Sequence, residues 1–183
     1  MEDERKLKVY KVAKELFERF GFKKTTVDEI AAKAGISKRT LYELFGSKEK
    51  ILSELVLHEG RLVAKMARQR LKKIDDPLKK LEEFTQIGMN YFKTNPFLAK
   101  VLGDEAGLYA PFLRDEIRII EDGIESFFYE ILCEGTEKGI FRPMDERASA
   151  NCIFILFRSF TYGHTLKPNK AWVQFIRNAI LPY

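Results

Sequence analysis

Histidine and cysteine are scarce in this chain, with two of each in 183 residues. His58 and His164 lie far apart and near no cysteine or acidic cluster at ligand spacing, so no metal centre is expected. Cys133 and Cys152 sit inside apolar runs and read as plain core residues rather than a disulfide framework. No Ser-His-Asp set, Glu-x-x-His motif, CxxC pair or phosphate-cradling glycine loop is present, so neither an enzyme nor a bound cofactor is expected. Long apolar runs are also lacking. The densest, from Cys152 to Phe157, falls far short of the ~20 residues a membrane span needs. The opening Met-Glu-Asp-Glu-Arg-Lys leads directly into a helical pattern with no apolar export segment, and the expected location is the cytoplasm.

Positive charge is plentiful, and it is unevenly placed. The net +5 divides into +8 over residues 1–73 and −3 over residues 74–183. A basic front half suits a polyanionic partner, although a merely solvated surface has the same balance. Hydrophobic residues make up 45% and charged residues 32%, the composition of a globular protein.

The apolar residues recur almost everywhere at helical spacing, and the fold class expected is all-α. Val9, Val12, Ala13, Leu16, Phe17 and Phe20 mark a first helix that Gly21 stops. Two short helices follow at Val27–Ala34 and Lys38–Leu44, then a longer one from Lys48 to about Lys72. Asp75-Asp76-Pro77 ends that helix and starts another, which closes near Asn95-Pro96. A less regular stretch containing Gly103, Gly107 and Pro111 precedes a stripe of Ile117, Ile120, Ile124, Phe127 and Ile131, closed by Gly135 and Gly139. Two helices remain, from about Asp145 to Thr165 and from about Asn169 to Leu181. These breaks divide the chain into 1–50, a connecting helix over 51–73, and a larger helical region over 74–183.

The segment from Thr25 to Lys50 carries the chemistry. Thr26-Val-Asp-Glu29 fits a capping box, and Gly35 can end that helix in the left-handed conformation. Ser37 can cap the next helix, with Ile36 and Leu41 at the staple positions. Two short helices joined by a glycine turn over about 27–46 form a helix-turn-helix. The second helix presents Lys38, Arg39, Thr40 and Tyr42 where a recognition helix meets base edges. Arg39 is the base-reading candidate, because its fork matches guanine O6 and N7. Lys48 opens the following helix, where free amides and an ammonium suit a phosphate.

These residues carry a family resemblance. Ala13, Leu16-Phe17, Gly21, Thr25-Thr26-Val27, Ile30-Ala31, Ala34-Gly35-Ile36-Ser37, Leu41-Tyr42, Phe45, Ser47-Lys48-Glu49 and Leu52 make Val9–Leu52 resemble the DNA-binding domain of TetR-family regulators. The resemblance implies that the helix from Ser37 enters the major groove of double-stranded operator DNA and that Thr26, Tyr42 and Lys48 touch phosphates. The candidate DNA-contacting set is Thr25, Thr26, Ser37, Lys38, Arg39, Thr40, Tyr42 and Lys48. Many members carry a small residue, often glycine, where this chain has Arg39, which makes Arg39 a determinant of its own operator.

One such motif buries little area, and specificity usually comes from a dimer reading two half-sites. The run from Cys152 to Phe157 is apolar around most of its helix, which predicts burial on more than one side. The resemblance implies that the last two helices pair across a homodimer. Ile153, Phe160, Trp172, Phe175, Ile176 and Ala179 are the candidate interface residues, the alternative being a monomer whose own core absorbs them. Eleven of the fifteen phenylalanines lie beyond residue 80, and glycines at 88, 103 and 107 are expected to loosen packing there. Phe84, Met89, Tyr91, Phe92, Leu102, Leu108, Tyr109, Phe127, Phe128 and Phe157 are the candidate lining of a pocket for a small hydrophobic or aromatic ligand. The function expected is a repressor that such a ligand releases from its operator, by allostery that the resemblance implies. A DNA-tethered interaction protein without an effector is the alternative. An internal cavity in the back half separates the first from the second, which calls for a filled core and a patterned outer face.

Overall fold

The computed structural model describes residues 4–103, 106–162 and 170–182, with side chains placed at all of these except 106–111 and 170–173. Among the described residues every regular element is a helix. None is long and apolar enough to cross a membrane.

The front of the molecule holds α1 (Glu4–Phe20), α2 (Val27–Ala34), α3 (Lys38–Phe45) and the first turns of α4 (Lys48–Leu71). Val9, Ala13, Leu16 and Phe17 of α1 meet Ile30, Ala31 and Ala34 of α2, Leu41 and Phe45 of α3, and Ile51, Leu52 and Leu55 of α4. Ala31 and Ala34 matter because small side chains let α2 lie close to α1. The domain is small, so its short helices depend on this shared core and on their caps more than on helix propensity.

The back is formed by the rest of α4, α5 (Pro77–Thr94), α6 (Pro96–Leu102), α7 (Ala106–Glu137), α8 (Glu146–Thr161) and α9 (Lys170–Ile180). Asp76 caps α5 by accepting from the Leu78 and Lys79 amides, with Pro77 in the first turn. Asp145 caps α8 through the Ala148 amide. The antiparallel pair α7–α8 is the broadest contact, and α5 packs against both. α6 touches α1 as well as α5 and α7, so front and back share more than α4.

Several expectations change. Asn95-Pro96 does not simply end a helix: it starts the extra helix α6, with Pro96 in the first turn where its missing amide costs nothing. The stretch expected to be irregular is the beginning of α7, which runs on through Pro111 and does not stop until Glu137. Gly88 tightens the packing instead of loosening it, since a Cβ there would collide with the Phe157 ring. Gly60 likewise brings α4 close to α7: an added Cβ would lie 2.9 Å from Ile120 Cγ1. Both cysteines are unpaired, and Cys152 lies exposed rather than in the core. The Cys152–Phe157 run therefore has a bare side, where Ile155 is also exposed, while Ile153, Phe154 and Phe157 are buried.

Candidate functional site

Local chemistry builds the DNA-facing end. Thr26 and Glu29 form both arms of the capping box: the Glu29 amide donates to Thr26 Oγ1 at 3.2 Å and the Thr26 amide to Glu29 Oε2 at 2.8 Å. These bonds hold the Glu29 carboxyl below its ordinary value, the backbone bond contributing most. Gly35, at φ 66°, supplies the left-handed turn, and its amide and that of Ile36 close onto the Ala32 and Ala31 carbonyls. Ser37 Oγ accepts from the Thr40 amide at 3.0 Å, and Ser47 Oγ from the Lys50 amide at 3.1 Å.

This frame turns Leu41 and Phe45 inward and leaves Lys38, Arg39, Tyr42 and Glu43 on the outer face of α3. The Arg39 side chain is 89% exposed, and its Nε donates to Glu43 Oε1 at 2.9 Å. Lys38 pairs with Asp28 of α2 at 2.9 Å, which pushes the ammonium up from its ordinary value chiefly through the hydrogen bond. Glu43 and Asp28 escaped the sequence reading. Each lies on the same outer surface as the cation it holds and offsets its charge there.

Two expected DNA contacts have inward jobs. Thr25 is buried, and its hydroxyl donates to the Gly21 carbonyl at 2.9 Å, so its side chain closes the α1–α2 turn rather than meeting a phosphate. Lys48 donates to the carbonyls of Phe22 and Thr25, both at 2.8 Å, and stands 4.4 Å from the Phe22 ring centroid. Its ammonium thus ties the start of α4 to the α1–α2 turn. Two of the three protons on that nitrogen are taken by these carbonyls. Thr26, Ser37 and Thr40 act as caps or cap partners at the same surface.

Behind this domain, α4, α5 and α7 enclose a cleft of about 350 Å³. Gly60, Val63, Ala64 and Ala67 line it from α4, Ile87 and Gly88 from α5, and Ile119, Ile120, Gly123 and Ile124 from α7. Of the expected pocket residues, Phe84, Phe92, Phe127 and Phe157 come together on this cleft. Among the described residues Arg61 is its one charged lining residue. Its volume and apolar walls fall in the range of small-molecule sites.

The other expected pocket residues lie elsewhere. Phe128 is fully buried behind the wall, edge-on to Phe84 and Phe157 with centroids 5.0 and 5.5 Å away. Leu102 is core, and Met89 borders a smaller groove between α5 and α9. Tyr91 turns away to a polar cluster described below. Leu108, Tyr109 and the interface candidate Trp172 lie outside the residues whose side chains are described. Two more interface candidates are spent inside the protomer: Ile153 packs in its core, and Ile176 is covered beside the α5–α9 groove. Phe160 and Ala179 are half-buried, whereas Ile155 and Phe175 stand 53% and 62% exposed.

Between the two ends, carboxylates on α4 hold neighbouring helices. Glu54 accepts from Lys6 at 2.7 Å and Tyr10 at 2.9 Å, both on α1. Ser53 donates to Glu116 of α7. Glu59 is 8% exposed, and its Oε2 accepts from Lys14 of α1 at 2.7 Å, Tyr91 of α5 at 2.8 Å and Asn95 at 2.9 Å. Burial alone would push the Glu59 carboxyl up; the three hydrogen bonds and the Lys14 charge outweigh it and leave the group below its ordinary value. Burial, and then the Glu59 charge, push the Tyr91 phenol well up.

Comparison with known proteins agrees with this architecture. Residues 9–55 match the model for bacterial regulatory proteins of the tetR family. The chain is 24% identical over 161 residues to YhgD of Bacillus subtilis, an uncharacterized HTH-type transcriptional regulator, covering 86% of this chain and 82% of that one. It is 29% identical over 144 residues to the HTH-type transcriptional repressor KstR2 of Mycobacterium tuberculosis, covering 76% and 70%. Its fold is similar to the crystal structure of the regulator FadR from Bacillus subtilis in complex with stearoyl-CoA, with a TM-score of 0.71, 24% identity, and 92% and 87% coverage. A capped helix-turn-helix and the family match across it lead to one assignment: residues 9–55 form a helix-turn-helix domain similar to that of bacterial regulatory proteins of the tetR family, and the fold behind it is shared with such a regulator.

Proposed function

We propose that the protein is a repressor that binds operator DNA as a homodimer and lets go when a small, largely hydrophobic molecule enters the cleft between α4, α5 and α7. The cleft carries this reading, because its walls are apolar and one of them is α4, the helix whose first turns build the DNA-binding core. An occupant therefore touches the element that positions α3. A filled back half with no such space would have favoured the interaction protein. The solved structure with stearoyl-CoA and the relative named as a repressor point the same way. The lining suits an alkyl or aromatic body, with Arg61 at hand for a single anionic group.

On DNA, Arg39 reads a base edge from the exposed face of α3, and Thr26, Tyr42 and the remaining Lys48 proton meet phosphates. The half-bare helices α8 and α9, with Ile155, Phe160, Phe175 and Ala179, supply the dimer face.

The test begins with operator sites enriched from a random duplex library by the purified protein. The protein is then exposed to fatty acids, acyl thioesters and polycyclic aromatics, with binding followed by native mass spectrometry and operator affinity by fluorescence anisotropy. One class is expected to bind and to weaken operator affinity by roughly 5–150-fold. A compound that occupies the cleft and leaves operator affinity unchanged overturns the mechanism.

A further inference from the structure

We propose that the Glu59 carboxylate is the joint through which occupancy of the cleft reaches the DNA-binding helices, an inference that rests on the ligand-responsive reading above. Three donors from three parts of the chain converge on one oxygen: Lys14 Nζ from α1, Tyr91 Oη from α5, and Asn95 Nδ2 from the α5–α6 junction. Asn95 also donates to Tyr91 Oη at 2.7 Å, which links the two partners on the α5 side.

The position of this cluster is what gives it a role. On α4, Glu59 lies one turn before Val63, and on α5, Tyr91 lies one turn after Ile87 and three residues after Gly88. Val63, Ile87 and Gly88 all line the cleft, and so do Gly60 and Phe92, the residues adjacent in sequence to Glu59 and Tyr91. The polar cluster thus lies next to the cleft's lining on both α4 and α5, and Lys14 ties it to α1. A molecule wedged between α4 and α5 separates the two helices where Glu59 bridges them. Apolar contacts tolerate small displacements, whereas hydrogen bonds of 2.8–2.9 Å weaken steeply with distance and angle.

The two sides of Glu59 are backed by bonds of unequal length. Toward α1, the Lys14 bond is backed by Glu54, which takes Lys6 and Tyr10 from the same helix. Toward α5, Glu59 holds Tyr91 and Asn95, and the further link between α4 and α5 is the longer, more exposed Arg70–Glu83 pair at 3.4 Å. That side also carries a defect, because among the described residues Asn95 Oδ1 is buried with no hydrogen-bond partner, a condition that disfavours the closed arrangement. When the cleft fills, the α4–α5 side gives way and α1 travels with α4. The Glu59–Tyr91–Asn95 bonds therefore stabilise the DNA-competent state, and a ligand acts by making them unaffordable to keep.

The experiment needs no identified ligand, because a side chain can stand in for one. Ala64→Phe places a ring in the cleft, and operator affinity is measured on the library-selected site for the parent, Ala64→Phe, Tyr91→Phe and the double variant. Ala64→Phe is expected to weaken binding by roughly 10-fold. Tyr91→Phe should weaken it by a similar factor, and the double variant should bind like either single one, since both break the same joint. Losses that multiply in the double variant overturn the joint and leave the cleft reading standing. An operator affinity indifferent to Ala64→Phe overturns both. Asn95→Ala repeats the cycle from the other partner, and a cooperative melt of each variant establishes that the folded protein is being compared.

Discussion

Between Thr25 and Lys50 the caps that start the helices are made within three residues: Thr26 with Glu29, Ser37 with Thr40, Ser47 with Lys50. Between Leu57 and Phe157 the defining contacts join residues far apart in sequence, as where Gly88 receives the Phe157 ring or Gly60 receives Ile120. The front end is specified by short-range hydrogen bonds around a small core. The back end is specified by shape, with small residues admitting large ones and a space left where they do not meet. The difference predicts that front substitutions break DNA binding outright or one contact at a time, while back substitutions alter packing and response.

The largest effect should come from Leu41→Ala. This side chain is fully buried under the recognition helix, and its truncation should cost about 2–5 kcal/mol. Calorimetry should show a lowered melting temperature, together with loss of operator binding; a DNA-binding variant of unchanged stability would break the comparison at its front half. Gly88→Ala comes next, at about 1–3 kcal/mol from overpacking against Phe157. Its damage should be confined to α5 and α8, so hydrogen exchange is expected to quicken there while α1–α3 keep their protection. Arg39→Ala should cost about 1–3 kcal/mol in operator affinity and relax preference at one position per half-site, without moving the melting temperature. Equal selectivity of variant and parent across an operator library would remove Arg39 from the base-reading role. The smallest effect is assigned to Thr26→Ala, about 1 kcal/mol from the lost cap, read as a modest drop in thermal stability.

The same contrast explains what was legible beforehand. Capping boxes, glycine turns and apolar spacing are local signals, and α1 to α4 lie close to where periodicity put them. The inward role of Lys48 was not legible, because its partners are the Phe22 and Thr25 carbonyls that only the folded chain brings near, whereas Thr25 reaches back just one turn to Gly21 and could have been read as a turn-closing residue. In the back half, α7 continued through Pro111 because losing one ladder bond is offset by the packing of a long helix. The cleft was half anticipated. Counting phenylalanines found Phe84, Phe92, Phe127 and Phe157 but missed α4, which had been read as a mere connection. The row of Gly60, Ala64 and Ala67, spaced by four and three, was the available signal that this helix presents a thin face to something. Glu59 had no local signature at all, since a lone glutamate on a long helix looks like any solvated one.

Gly60 has a consequence for how α4 can move. Twelve residues of α4 precede it and eleven follow, which at 1.5 Å per residue gives arms of about 18 and about 17 Å. At that midpoint the helix rests on Ile120 with no side chain of its own to interlock with α7. In the proposed response, a tilt of α4 about Gly60 would carry a displacement at the Leu71 end to the Lys48 end at nearly equal amplitude and opposite sense. Moving the glycine by one turn would change that ratio, and with it the gain of the proposed switch.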